Sequence, residues 1–476
     1  MTKRLVLYRN VLLFLVCIPL WPGLEITAPA ADFDFNSAWQ QVLEKSNTLL
    51  AEQANIDRAD YERQAARDLY LPQINLTGGY IYLDDKVQLT PSAIFDSMPA
   101  GPLVSSQLGA QAQSLGIHPA ALEHGLTSTI SDREIKSSSL NLLWPLYTGG
   151  RITAAQDIAT ASLADARQQR ELKLYERFET LCRRYFGVVM ARQLLETKTE
   201  VEASLSVHFH HAELMVENGQ IAEVEKLQAE ASYDKARVER EKSGNDLRIA
   251  QAALTRLLQD ENVSRPTTPL FINSGLPPLE TFIEKTLAGY PGLAIFDAKE
   301  KMATGLADIE KGKYFPEVAL LGNYNLYEED DLASELVPDW FVGLTVSVPL
   351  LDRSGRSGKR TAARSLVTKI DALRKQARED LSLLVEKTYR RAEQAIAEYN
   401  GLASSLRLAE KTLDMREKAF DQGLSTSLDV VDARLYVAGV KSQRSHAAYT
   451  YVTRLAEILA VSGSLDEFDS YQKNGQ

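Results

Sequence analysis

The chain has 476 residues, of which 45% are apolar and 25% charged, and its formal net charge is −11. That length allows one large core or two to three ordinary domains. A net negative charge argues against nucleic-acid binding, which requires a basic face.

The N-terminus has the pattern of a secretory signal peptide. Basic residues come first, an apolar stretch covers 11–20, and Ala28-Pro29-Ala30 follows. We therefore predict a signal peptide at 1–30, because the apolar run is about half the roughly 20 residues of a membrane anchor. Lipidation at Cys17 is a less favoured alternative. Cleavage would leave Cys182 as the only cysteine, which excludes an intramolecular disulfide.

Short motifs recur at fixed distances along the chain. Leu71-Pro72-Gln73-Ile74 returns 244 residues later as Phe315-Pro316-Glu317-Val318. Pro145-Leu146 returns at 204 residues as Pro349-Leu350, and Gly219 returns as Gly423 at the same distance. Equal spacing in both copies indicates a duplication. We predict repeats at 31–260 and 281–463, joined by a Pro-rich linker at 261–280 and followed by a tail at 464–476.

Each repeat is predicted to contain two strands of about ten residues, the length that crosses a bilayer as a tilted strand. The clearest runs from Trp340 to Val348 and alternates apolar with mixed residues, so we expect its apolar side to face lipid. The strands are expected at about 73–83, 138–147, 317–327 and 340–350. A long exposed loop at 84–135 is predicted between the first two, and a short acidic one at 328–339 between the others.

Two Pro-free segments predict long helices. Residues 149–217 and 355–421 are rich in Ala, Leu, Glu, Lys and Arg, and each would form a helix about 100 Å long. A heptad pattern from Leu428 to Leu459 indicates that these helices pack lengthwise. Four strands cannot close a barrel in lipid, so several chains must contribute to one barrel. The fold class is therefore mainly α with membrane β, and periodicity does not choose between three and four chains.

No residue pattern predicts a catalytic or cofactor site. His208, His210 and His211 lie on one predicted helix, and His208 and His211 share a face at three-residue spacing. Two imidazoles without another ligand make a weak metal site, so we favour a solvated helix face. Cys182 falls in a helical seam and is interpreted as a packing residue. We expect no enzyme, no cofactor and no metal.

Four motifs together resemble the TolC-like outer membrane efflux protein family over essentially the whole mature chain. They occupy residues 66–74, 144–151, 348–356 and 423–433, in that order. The resemblance implies a homotrimer with a 12-stranded barrel in the outer membrane and a helical tunnel across the periplasm. It also implies a periplasmic adaptor and an inner-membrane pump as partners, and a passive exit duct as the function.

The resemblance also implies the site residues. Acidic residues just beyond the second turn narrow the tunnel in the family, and Asp429, Asp432 and, in the first copy, Glu225 match them. The basic residue that the family often has two places after the turn glycine is Ser425 here, which argues against a gate-locking ion pair. The hairpin turns are expected to face the adaptor; they comprise Asn218, Gly219, Gln220, Gln422, Gly423 and Leu424.

Two alternatives stay open at this level. A periplasmic coiled-coil adaptor would share the long hairpins but not the four alternating strands. A surface adhesin would share a barrel or a coil but not the equal-length duplication of both. The sequence does not distinguish drugs, metals and proteins as the exported substrate, and it does not name the pump class.

Overall fold

The computed structural model describes residues 33–260, 265–328, 338–351 and 353–475. The predicted signal peptide at 1–30 and most of the acidic loop therefore lie outside the described residues. Within the described ranges the chain forms twelve α-helices and six β-strands.

The first half of the chain begins with two short helices and ends with a long helical hairpin. Its elements are α1 (Phe35–Lys45), α2 (Asn47–Asp68), β1 (Gln73–Tyr82), β2 (Val87–Leu89), α3 (Pro91–Asp96), α4 (Gly101–Ser114), α5 (Pro119–Leu126), β3 (Ser128–Ser131), β4 (Glu134–Tyr147), α6 (Arg151–Glu217) and α7 (Glu223–Leu258).

The second half repeats this plan with a shorter connection between its strands. Its elements are α8 (Leu279–Gly289), α9 (Pro291–Gly312), β5 (Glu317–Glu328), β6 (Trp340–Ser347), α10 (Arg356–Asp421), α11 (Ser427–Val461) and α12 (Glu467–Asn474). The helices α6 and α10 have 67 and 66 residues, so each is about 100 Å long, as predicted. None of the described helices is both long and apolar enough to cross a membrane.

The four predicted strands form one antiparallel sheet in the order β1-β4-β5-β6. Within the described chain β1 and β6 are the edges of this sheet. Strand β4 begins four residues earlier than predicted, and β6 ends three residues earlier. Helices α6 and α10 follow β4 and β6 and leave the sheet at one end, whereas the connection between β1 and β4 lies at the other.

The two faces of the sheet differ in polarity. On one face Ile74, Leu142 and Val342 lie in a row across the strands with Gly322, next to a row that includes Leu76 and Leu140. The other face carries a row of carboxamides. Asn323 donates a hydrogen bond to Asn141 at 3.0 Å, and Asn141 donates one to Thr77 at 3.1 Å. The alternation that the sequence predicted in β6 therefore extends over all four strands.

The segment 84–135 is more ordered than the loop that the sequence predicted. It contains the hairpin of β2 and β3 and the three helices α3, α4 and α5. The prolines of this segment begin helices and do not only interrupt them, because α3, α4 and α5 each have a proline in their first two positions.

The main core lies midway along the hairpins and is rich in aromatic rings. Phe35 of α1, Phe178 of α6 and Phe468 of α12 contact one another with ring centroids 4.9–5.6 Å apart. Phe468, in the segment predicted as a tail, is 2% exposed, so this segment closes the core. The linker also packs inward, because Phe271 is 3% exposed.

The seam prediction is confirmed for most of α11, but two of its predicted members near the N-terminal end are exposed in the single chain. Val431, Val452 and Leu459 are buried, whereas Leu428 and Leu435 are 51% and 43% exposed in the chain. Cys182 is fully buried, and its Sγ lies 3.7 Å from the carbonyl oxygen of Val452. Burial raises the pKa of its thiol, in line with a packing role.

Candidate gate at the hairpin tips

The two hairpin turns have the same backbone geometry. Gly219 and Gly423 both adopt the left-handed conformation, with φ of 72° and 70°. The next residue closes each turn, because Gln220 N donates to Met215 O and Leu424 N to Ala419 O, both at 2.8 Å. A side chain at either glycine would be strained, so the duplicated glycine is explained by the turn itself.

Asp429 is bound within the first turn of α11. Its carboxylate accepts hydrogen bonds from Thr426 Oγ1 at 2.7 Å and Thr426 N at 3.1 Å, and Thr426 Oγ1 accepts from Asp429 N. This is a capping box. Ser425 Oγ donates to the same carboxylate, and Arg416 of α10 forms an ion pair with it at 3.3 Å. The Thr426 hydrogen bonds, and then Arg416, hold the pKa of this carboxyl below its usual value.

Glu225 reaches across to the other hairpin. Its Oε2 accepts a hydrogen bond from Ser427 N at 3.0 Å, at the N-terminus of α11. A carboxylate there satisfies an otherwise unpaired amide and interacts favourably with the helix dipole. The first-copy counterpart of Asp429 therefore stabilises the same helix start from outside.

Asp432 differs from both of these residues. It is exposed, and among the described residues it forms no hydrogen bond or ion pair. It follows Asp429 by three residues, so the two carboxylates lie on neighbouring positions of one helix face. Of the three predicted acids, Asp432 alone has neither a hydrogen bond nor an ion pair to its carboxylate within the described residues.

A buried histidine links the hairpins beside these acids. His208 of α6 is 4% exposed, and its Nε2 lies 2.6 Å from Ser427 Oγ. Its ring packs on Phe420 of α10 at 4.7 Å. Burial lowers the pKa of His208 to about 4, and the positive charge of Arg434 contributes in the same direction. The sequence prediction of a solvated face is therefore wrong for this residue, because the α10–α11 hairpin covers it.

The other two histidines of this group point elsewhere. His210 lies 3.7 Å from Glu213, and His211 lies 3.5 Å from Asp421. Across the described ranges no group of three or more metal-binding side chains comes together. The three histidines accordingly do not converge on one site.

Apolar contacts complete the junction of the two tips. Met215, Phe420 and Val430 form a small buried cluster, with Ile221 packed against it. One helical turn further on, Arg434 forms an ion pair with Glu417 at 2.9 Å and contacts Ser204. Each hairpin tip therefore depends on the other for its packing.

Sequence reasoning missed the partners of the predicted acids, and its inference from Ser425 that no ion pair forms here is wrong, because Arg416 of α10 pairs with Asp429. Arg416 precedes Gly423 by seven residues and Asp429 follows it by six. Residues at similar distances before and after a hairpin turn lie opposite each other on the two helices, so the sequence could have suggested this contact. No comparable signal exists for His208 and Ser427, which are 219 residues apart and belong to different hairpins.

A family model for the outer membrane efflux protein matches residues 38–259 and 282–464. The chain belongs to the outer membrane efflux protein family. The two matched blocks coincide with the two halves of the fold, each ending with a helical hairpin.

Individual relatives are distant but cover most of the chain. Outer membrane protein TolC of Vibrio cholerae is 23% identical over 455 residues, 92% of each chain. Protein CyaE of Bordetella pertussis is 23% identical over 342 residues, 69% of this chain and 70% of CyaE. The solved structure of CusC, at 14% identity, shares the fold with a TM-score of 0.72 over 93% of this chain and 95% of CusC.

Membership of the family decides between the alternatives that the sequence left open. The chain is an outer-membrane channel subunit that extends into the periplasm, and not an adaptor or an adhesin. It serves as an exit duct of a tripartite efflux or type I secretion system. Members of the family form trimeric channels that work with adaptors and inner-membrane pumps.

Proposed function

We propose that this chain assembles as a homotrimer, catalyses no reaction, and receives its substrate from an inner-membrane pump through a periplasmic adaptor. The four-stranded sheet carries this proposal. Its edges, β1 and β6, expose unpaired backbone groups, and one of its faces is apolar. An open edge is not tolerated in lipid, so β6 of one copy would pair with β1 of the next until the barrel closes.

Three copies would give a 12-stranded barrel with the apolar rows outside and the carboxamide row inside. The signal peptide at 1–30 would direct export of the chain. Because the long helices leave the sheet at one end, they would run into the periplasm and their turns would lie farthest from the outer membrane. The adaptor would meet the turns there, on the residues Asn218, Gly219, Gln220, Gln422, Gly423 and Leu424.

Exposed apolar side chains at the tips favour a docking role. Leu424 is 77% exposed in the second turn, and Val224 is 55% exposed just after the first. Large apolar side chains at the end of an otherwise charged hairpin indicate a protein contact.

The gate would lie just inside these turns. Three copies of Asp432 would form a ring of carboxylates without basic partners, whereas Asp429 and Glu225 would hold α11 in place. Opening would then require the contacts of Arg416 with Asp429 and of Glu225 with Ser427 to separate. The ring would attract cations and repel anions.

The assembly is tested by measuring the mass of the purified chain in detergent. We expect three chains per particle, because four strands from each complete a 12-stranded barrel. A stable monomer or tetramer would contradict the architecture.

The gate is tested by bilayer conductance of three variants. Asp432→Ala should weaken cation preference and block by divalent cations from the periplasmic side, because it removes the ring charge without touching the cap. Asp429→Ala should instead raise the open probability, because it releases α11 from Arg416. Asp414→Asn, which removes a charge paired with Lys411 and Lys418 on α10, is the control. Wild-type selectivity and block in Asp432→Ala would place the constriction elsewhere.

A further inference from the structure

The connection between β1 and β4 is a folded insert at the end of the sheet opposite the long helices. A charged neck attaches it to the strands. Lys86 and Asp132 form an ion pair at 2.6 Å, Arg133 donates to the carbonyl oxygen of Asp84, and the Arg133 guanidinium lies 5.4 Å from the ring centroid of Tyr82. The insert is therefore anchored at its base.

The central part of the insert is uncharged. No Asp, Glu, Lys or Arg occurs from Ser97 to Leu122, although one residue in four is charged in the whole chain. One face of helix α4 carries Val104 and Leu108, about 40° apart on a helix of 3.6 residues per turn, and Leu115 at the C-cap extends this apolar stripe beyond Gln111. The three apolar residues are 40%, 42% and 77% exposed. An uncharged element with an apolar stripe is unsuited to remain in water.

The position of the insert suggests what covers the stripe. The insert follows β1 directly, and β1 is the edge strand that would pair with the next copy. Strands about 4.8 Å apart and tilted by about 40° give a 12-stranded barrel a diameter of roughly 25 Å. Helix α4 has 14 residues and is about 21 Å long, so an insert attached at the rim is long enough to reach the axis.

We propose that the apolar stripe of α4 docks against the same stripe of the two other copies and closes the outer mouth of the channel. This inference rests on the proposed trimer. The second repeat has only a short connection between β5 and β6, so each copy would contribute one insert. Three identical stripes then meet at a threefold axis, and each supplies the apolar surface that the others lack.

Cysteine cross-linking tests this contact. Leu108→Cys introduces a thiol in the stripe, and Ser106→Cys introduces one on the opposite, exposed side of α4. Cys182 is fully buried and gives little background reaction. With a short bismaleimide on the trimer in vesicles, Leu108→Cys should form covalent dimers, because each reagent molecule joins two thiols and each chain offers one, whereas Ser106→Cys should be labelled without cross-linking.

The outcomes separate this inference from the proposed assembly. A trimeric mass without cross-links at Leu108→Cys, or equal cross-linking of both variants, would overturn the docking of the stripes. Protection of Leu108→Cys that depends on lipid and gives no cross-link would assign the stripe to the membrane and also overturn it. A monomeric mass would instead contradict the proposed function.

A conductance measurement gives an independent readout. Leu108→Glu would place three carboxylates together at the axis, where mutual repulsion should separate the helices. We expect the trimer to persist and single-channel conductance to rise at least twofold, whereas Ser106→Glu leaves it unchanged. Equal conductance of the two variants would show that the inserts do not obstruct the mouth.

Discussion

The two hairpin tips occupy equivalent positions in the duplicated halves, yet the second helix of each hairpin, α7 or α11, begins differently. Helix α11 has Thr426 at its N-cap and forms a capping box with Asp429. The equivalent N-cap of α7 is Ala222, which forms no side-chain cap hydrogen bond. Because Ala222 cannot engage Glu225 in a capping box, the Glu225 carboxylate is free to reach Ser427 N on the other hairpin.

This difference makes the tips unequal in stability. The start of α11 is held by its own cap, by Glu225 and by the buried contact with His208. The start of α7 lacks a side-chain cap in the described structure and is tied to α6 by the ion pair of Lys226 with Glu213. The two copies are therefore not equivalent, because the first hairpin stabilises the second.

The largest effect is expected from Phe420→Ala. Phe420 is 3% exposed and packs on His208, so its loss should cost about 3–4 kcal/mol in local stability of the tips. Its counterpart in the first copy is Val216, which is only half-buried, and Val216→Ala should cost about 1 kcal/mol. Hydrogen exchange of the tip amides measures both. Similar losses in the two variants would show that the tips are equivalent.

The second largest effect is expected from pH, because protonation of His208 should lower the stability of the hairpin tip. Its folded pKa of about 4 lies below the ordinary value of 6.5, so the unfolded tip binds more protons between these values. The stability of the tip should be complete above pH 6.5 and fall by up to roughly 3 kcal/mol as the pH approaches 4.

Hydrogen exchange of the tip amides as a function of pH provides the measurement. His208→Asn should abolish the slope because the amide does not titrate, and His211→Asn, at the exposed neighbour, should retain it. A slope that persists in His208→Asn would assign the effect to another group.

The smallest effect is expected from the caps. Thr426→Ala should cost about 1 kcal/mol and reduce protection of the first amides of α11. Ala222→Thr should protect the first amides of α7, but it would draw Glu225 into a local capping box and expose Ser427 N. We therefore expect opposite changes at the two helix starts. Protection of α7 without loss at α11 would mean that Glu225 contributes nothing to the second hairpin.

Some of this architecture follows from local patterns in the sequence. The alternation in β6 and the lack of proline in α6 and α10 each depend on the residues of one element, and these predictions are confirmed. The turns at Gly219 and Gly423 belong to the same class, because a left-handed backbone favours glycine wherever it occurs. The repeat distance then assigns the same elements to both halves.

Only the tertiary structure decided what the predicted site residues contact. The resemblance to the family pointed to Asp429 and Asp432, but it did not indicate that Asp429 is held by Thr426 and Arg416. Likewise, no local pattern buries His208 or brings Glu225 to Ser427. The physical reason is that helices of more than 60 residues can pack in many registers with similar local energy. The packing of one hairpin against the other selects the register, and with it the residues that become partners.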